Sequence, residues 1–464
     1  MISDMENRID SQASSKIVLL VVAIASFLIP FMGSSTNIAL PSIGKEFSLD
    51  AVSLAWISIS YLLASTVFLL PFGRIADIYG RKRIFQYGIL IYTVFSLLSA
   101  ISTTAGMLIS FRVFQGIGGA MIFSTGVAIL TSVFPVEERG KALGINVASV
   151  YLGLSIGPFL GGLLTQHFGW RSIFFANIPL GLVIITALFW KLKEEWAEAK
   201  GEKFDLSGSV IYGLTVIAMM YGLSLLPALP GVAIISLGVI GAVTFTWWET
   251  RVSSPILHMN LFKQNRVFAF SNLAALFSYS ATAAVSFLLS LYLQYAKGFS
   301  PQSAGLILVA MPAVQATFSP VAGRLSDRIS PQILASIGMA LTTIGLVLLS
   351  SLSQNTSIGF ILLSLVILGF GFALFSSPNT NAIMSAVEKR FYGVASATFA
   401  TVRQLGMMLS MGTAMMLFAM YIGRIEITPE YYPLFVRSMK TAFTIFAVLC
   451  FGGIFASLAR GKMG

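Results

Sequence analysis

The chain has 464 residues, 56% of them hydrophobic and only 10% charged, with a formal net charge of +11. A soluble domain carries about 25% charged residues, so a water-soluble fold is excluded; many apolar runs here exceed the length that crosses a bilayer as helix, and none alternates as a barrel strand does. The cations fall on short segments between those runs, which argues against nucleic acid, and the single cysteine, Cys450, lies in an apolar run and forms no intrachain disulfide.

The runs are read as fourteen helical spans, at 16–40, 51–73, 84–104, 106–131, 142–165, 171–191, 208–227, 229–249, 268–293, 303–323, 331–352, 357–378, 394–422 and 440–459. The first has no small-residue cleavage site after it and is read as retained. With the N-terminus inside, only Lys45, Arg171, Lys297, Arg424, Arg437 and Lys440 fall on outer segments, and nearly all other Lys and Arg fall on inner ones. That bias predicts both termini in the cytoplasm. The expected organisation is a cytoplasmic segment (1–15), a six-helix bundle (16–191), a polar linker (192–207), an inserted two-helix hairpin (208–249), a cytoplasmic loop (250–267) and a second six-helix bundle (268–464). In the loop, Leu257-x-x-x-Leu261-Phe262 fits a short amphipathic surface helix.

Several stretches carry chemistry. Asn37, followed by Ile38-Ala39-Leu40-Pro41, closes the first span, about 6 Å from its outer end at 1.5 Å per residue. After the second span comes Gly73-Arg74-Ile75-Ala76-Asp77-Ile78-Tyr79-Gly80-Arg81-Lys82-Arg83, and a reduced copy, Gly323-Arg324-Leu325-Ser326-Asp327-Arg328, returns in the second half. The shared Gly-Arg-x-x-Asp spacing predicts a cytoplasmic latch in which Asp77 contacts the start of a second-half span; the plainer reading is a turn with topogenic charge. Arg112 lies about 9 Å deep in the fourth span, within reach of Asn37 and one turn from Gln115. An embedded cation is costly and marks either a functional site or a structural arginine held by first-span carbonyls. Gly153, Gly157, Gly161 and Gly162 with Pro158 form a small-residue groove, either a seal between helices or ordinary close packing. Arg403 and Gln404, roughly 13 Å from the inner end of the thirteenth span, face either the central cavity or a neighbouring helix. Asn379 and Asn381, after Pro378, are read as helix-end caps.

Taken together these motifs resemble the major facilitator superfamily. Gly73–Arg83 is similar to its signature loop between spans two and three, and Leu108-x-x-x-Arg112-x-x-Gln115-Gly116-x-Gly118 to its second motif. Gly153-x-x-x-Gly157-Pro158-x-x-Gly161-Gly162 resembles the motif of its antiporters. Asn37–Pro41, Trp170-Arg171-x-Ile173-Phe174-Phe175-x-Asn177-x-Pro179 and Arg403-Gln404-Leu405-Gly406 resemble the fourteen-span drug:proton antiporter branch. The resemblance implies a proton-coupled multidrug exporter of the cytoplasmic membrane, with Arg112 in proton coupling. One departure stands out. The aspartate which that branch carries five residues before Asn37 is Met32 here, and none of the 18 acidic residues falls in the middle of a span. The expected substrate is therefore a neutral, zwitterionic or anionic amphiphile, and any coupled proton runs through Asp77, another membrane-edge acid or the substrate itself. A facilitator or symporter of a small metabolite, or a lipid transporter, is the alternative on the same fold. No ATP-binding loop, metal cluster or nucleophile–base pair is visible, so an enzyme is not expected, nor a cofactor or metal. The expected partners are a small amphiphilic substrate, protons and membrane lipid, and the expected state is a monomer.

Overall fold

Long apolar runs in a solvent without water must satisfy their backbone internally, and here they do so as helices. The computed structural model describes residues 2–191, 195–326, 328–388 and 392–461. Among them fourteen helices are long and apolar enough to cross a membrane: α1 Ser15–Phe47, α2 Ala51–Tyr79, α3 Arg81–Ala100, α4 Ala105–Val133, α5 Glu138–Phe168, α6 Arg171–Leu188, α7 Leu206–Leu225, α8 Leu229–Glu249, α9 Arg266–Ala296, α10 Pro301–Leu325, α11 Pro331–Ser350, α12 Ile358–Ser385, α13 Tyr392–Tyr421 and α14 Pro429–Leu458. A short helix, Met259–Gln264, precedes α9. It sets Leu261 and Phe262 against Phe268, Ile383 and Ala395.

Helix pairing repeats. In the first half α1 packs on α4, α5 and α6, α2 on α4, and α3 on α4 and α6; in the second α9 packs on α12, α13 and α14, α10 on α12, and α11 on α12 and α14. Each second-half pair is the first-half pair moved on by eight helices. The repeat reaches single residues. Gly88 of α3 lies against the carbonyl of Gly118 in α4, and Gly338 of α11 against that of Gly371 in α12. Without a hydrophobic drive between helices in lipid, such side-chain-free crossings supply the close backbone contact that holds the pair. The halves meet where α5 packs on α10, α2 on α13 and α1 on α9.

The hairpin α7–α8 lies on the flank of that junction. Tyr212 of α7 donates to the carbonyl of Thr66 in α2 at 3.0 Å, and Gly412 of α13 lies against Met220. Exposed Leu237, Val239, Ile240 and Val243 give α8 an apolar outer face, as a lipid-facing helix requires.

The helices outrun the expected span ends at 40 and 378. α1 continues through Pro41 to Phe47, and α12 through Pro378 to Ser385. Asn379 and Asn381 are therefore not caps. Asn381 donates to Ser326 Oγ at 3.1 Å, while the Asn379 amide is buried with neither its oxygen nor its nitrogen bonded.

Candidate functional site

At the face opposite the Gly73–Arg83 loop the halves are joined. Pro41 has no N–H to offer the carbonyl four residues earlier, which belongs to Asn37. That freed oxygen accepts from Ser290 Oγ of α9 at 2.7 Å, and Ile38 O next to it accepts from Gln294 Nε2 at 2.9 Å. Further out, Ala51 N donates to Ile425 O at 3.1 Å and Asp50 bridges to Glu426. Beside them Gln302 N meets Gln166 Oε1 at 3.3 Å.

The glycine groove of α5 serves two partners at this end. A Cβ on Gly153 would stand 2.5 Å from the carbonyl of Phe27, and one on Gly161 2.7 Å from Ser35 Cα, both on α1. Gly157 also faces α1, where its carbonyl accepts from Ser35 Oγ at 2.9 Å. Gly162 faces the other half, against Pro301 and Gln302, and the Pro158 carbonyl lies against Gly305.

Toward the basic face α5 and α10 diverge. Between them lies a cavity of about 700 Å³, walled by Val147, Tyr151 and Ser155 of α5, Ala313 and Thr317 of α10 and Ser377 of α12. Gly323 lies in this wall, Arg324 is exposed at the end of α10, and Asp327 falls outside the described residues.

Tyr151 joins the cavity to a polar group at the junction. Its hydroxyl is 3.2 Å from Ser376 Oγ. The phenol of Tyr279 lies beside Ser376, Tyr151 and Arg403, and Arg403 places its guanidinium carbon 5.8 Å from the ring centroid of Phe123 in α4. Three consecutive faces of α13 are used. Arg403 reaches across to the first half, Gln404 donates to Ser65 Oγ of α2 at 3.1 Å, and Gly406 lets Tyr279 of α9 come close. A half-buried cation ringed by phenols and a phenyl face suits a planar aromatic with an anionic or hydrogen-bond-accepting edge. Sequence reasoning found Arg403 and Gln404 but missed Tyr151, Tyr279, Ser376 and Phe123, because nothing in their local sequence separates them from lipid-facing residues.

Arg112 is placed differently. It is 1% exposed. Nη1 donates to Gln115 Oε1 at 2.5 Å, Nε to Ile57 O at 3.3 Å, and the guanidinium lies 4.4 Å from the Tyr61 ring centroid. Gln115 passes the chain on to Ser96 Oγ at 2.6 Å. The carbonyl that holds Arg112 belongs to α2, not α1. Arg112 and Asn37 do not meet: Asn37 Oδ1 accepts from Ser58 Oγ at 3.0 Å, one residue along α2 from Ile57. Met32 is 1% exposed, with its sulfur against Thr36 and Asn177.

The latch residues also find other partners than expected. Asp77 accepts from Arg81 Nε at 2.8 Å, and among the described residues no second-half helix donates to it. Arg81 also forks onto Glu198, at 2.7 and 2.9 Å. Arg74 pairs with Glu202, and Glu195 accepts from Lys82 N at 2.9 Å. Backbone bonds from Arg81 N to Trp196 O and from Ala199 N to Asp77 O bind the 195–202 segment along the loop. Gly80 has φ +120°, a left-handed conformation that a side chain resists, and its missing Cβ leaves room for the Glu195 carboxyl. Gly73 lies beside Ser124 of α4. The Arg81 guanidinium holds the Glu198 carboxyl below its ordinary 4.5. Burial, with Arg74 nearby, holds His258 below the usual imidazole value.

Comparison with known proteins agrees with this architecture. A family profile described as Major Facilitator Superfamily matches residues 22–411 and 271–462. The riboflavin transporter RibZ of Clostridioides difficile is 30% identical over 441 residues, covering 94% of this chain and 96% of RibZ. The tetracenomycin C resistance and export protein of Streptomyces glaucescens is 30% identical, covering 86% and 74%, and multidrug resistance protein 3 of Bacillus subtilis is 30% identical, covering 87% and 80%. Among solved structures, an inward-facing bacterial homologue of the human lysosomal transporter Spinster aligns with a TM-score of 0.66 at 18% identity, covering 96% of this chain and 97% of that one. The likeness lies in the fold.

Proposed function

This chain belongs to the Major Facilitator Superfamily, a family of secondary transporters rather than enzymes, and on that footing we propose that it exports amphiphilic aromatic molecules across the cytoplasmic membrane by alternating access, in exchange for protons. The observation that carries this reading is the cavity between α5 and α10, shut off at the opposite face by the Asn37–Ser290 and Gly162–Pro301 contacts. In a rocking pair of bundles that geometry is the state loaded from the basic side. The cation bias of the loops supports a cytoplasmic location for that side and for both termini. Export is supported by the drug-exporting relatives.

Arg403 favours a substrate that is neutral, zwitterionic or anionic. A lipophilic dication would enter beside a guanidinium with no mid-depth carboxylate to offset it, an expensive arrangement in low dielectric. The position where the branch carries its acid holds Met32, packed inside the first bundle. The proton therefore travels with the substrate or through an acid at the membrane edge such as Asp77. A second reading, a facilitator or symporter of a neutral metabolite, is favoured by the nearly full-length match to a riboflavin transporter.

Proteoliposomes with an imposed pH gradient separate the two. Antiport predicts uphill movement of an aromatic anion in the direction opposite to the protons, absent without the gradient; gradient-independent equilibration, or accumulation in the same direction as the protons, supports the second reading. Flux of a dicationic dye that responds to pH and survives Asp77→Asn would overturn the substrate assignment.

A further inference from the structure

At the basic end of α14 the chain buries a charge that nothing described in the protein neutralises. Arg460 is 2% exposed. Nη2 donates to Ser457 Oγ at 3.0 Å, while Nε and Nη1 have no hydrogen-bond partner. Burial draws the group down to about 10, so it stays protonated at neutral pH. An unpaired buried cation is costly, and retaining one calls for an anion.

Its surroundings show what kind of anion fits. Ser457 also receives the Ser336 hydroxyl at 2.9 Å, and Gln332 at the start of α11 donates to Leu458 O at 2.5 Å. Arg266, at the start of α9, donates Nε to Ala459 O at 2.9 Å, which brings a second cation to the same corner. The N-terminus of the twenty-residue α11 lies here too, and its N-cap Ser330 makes no side-chain cap, so the positive end of the helix dipole adds to the field. Below the corner, Ile333 and Ile337 of α11 and Phe455 and Leu458 of α14 are exposed. They form an apolar seam running from the basic rim toward mid-membrane. The corner therefore sets two unmet guanidinium nitrogens, enclosed in this state, at the inner end of α14 beside exposed apolar residues of α11 and α14. This seam shares no residue with the α5–α10 cavity and is independent of the transport reading.

We propose that the corner between α9, α11 and α14 binds the phosphate of an anionic phospholipid, with Arg266 at the rim, the Arg460 side chain turning outward to donate Nε and Nη1, and the acyl chains along the α11–α14 seam. Arginine suits a phosphate because its fork meets two oxygens at once, and juxtamembrane cations draw anionic lipid to a membrane face.

The test uses full-length protein, stripped of lipid in detergent, with phosphatidylglycerol, phosphatidylcholine or inorganic phosphate added. The expected result is a thermal midpoint raised by several degrees with phosphatidylglycerol over phosphatidylcholine, and one retained anionic lipid in native mass spectrometry. Both should be lost in Arg460→Met and largely kept in Arg460→Lys. Equal protection by the two lipids, or an undiminished difference in Arg460→Met, overturns the site. Protection by inorganic phosphate alone assigns the corner to a soluble anion and overturns the lipid. Should Arg460→Met not fold, a photoactivatable phosphatidylglycerol on the wild type decides: labelling within 331–337 or 455–460 supports the proposal, and labelling only elsewhere overturns it.

Discussion

Arg112 and Arg403 are both guanidiniums within membrane-spanning helices, yet they stand in opposite situations. Arg112 spends its donors inside its own bundle, on Gln115 and the Ile57 carbonyl, under the Tyr61 ring. Arg403 reaches out of its bundle to Phe123 and sits beside the phenols of Tyr279 and Tyr151. A charge held by neighbours from its own half moves with that half as one body. On the proposed rocking cycle, a charge standing between the halves meets different partners in each state. The contrast teaches that embedding marks a cation as important, while its partners say whether it braces or binds.

The comparison breaks most visibly through stability. Arg112→Ala leaves Gln115 partly unpaired and opens a void between α2 and α4, and should lower unfolding stability by about 2–4 kcal/mol, read as the thermal midpoint in detergent. If Arg112→Ala unfolds normally yet abolishes transport, the bracing role is wrong. Arg403→Ala should do the reverse. Stability changes by less than about 1 kcal/mol, as for residues outside a packed core, and uptake of an aromatic anion into inverted vesicles falls at least about tenfold, equivalent to about 1.4 kcal/mol of lost binding. Tyr151→Phe sharpens the picture. It removes one hydroxyl from Ser376 and should raise the half-saturating substrate concentration by a factor matching about 0.5–1.5 kcal/mol, leaving the maximal rate nearly unchanged.

The smallest effect lies at the 195–202 segment. The carboxyl of Glu198 is held below its unfolded value, so its contribution is present above about pH 4.5 and is lost as pH falls through the lowered folded value. The group is largely exposed, and solvent keeps that contribution small. The thermal midpoint of wild type should therefore drop slightly toward that of Glu198→Gln on acidification, and the two curves should merge in strong acid. Curves that stay parallel would show that Arg81 does not rely on Glu198.

Run length and charge bias made the fourteen helices legible, because hydrocarbon thickness imposes one requirement on every span. The repeat of Gly-Arg-x-x-Asp likewise pointed to two halves whose pairing turned out to be shared. What stayed hidden depended on contacts between residues far apart in sequence. Pro41 lies just past the expected span end at 40, yet the helix continues, since the carbonyl it frees is satisfied by Ser290 from the other half. Asp77 reads as a reach toward the second half because nothing in its own stretch announces that Glu195, Glu198 and Glu202 are spaced to meet the loop's cations. Tyr151 and Tyr279 look like any other membrane tyrosines until α5 and α9 are brought to one place.

The hairpin carries a mechanical implication. Tyr212 is tied by a directional bond to α2, while Leu223 and Met220 lie against Gly412 of α13 through apolar side chains. One contact is a hydrogen bond and the other apolar packing, so on the proposed rocking cycle the hairpin should follow the first bundle and slide over the second. Its grip on α13 would then act as a brake on the stroke, and the turnover frequency could be tuned from a surface that never touches the cargo.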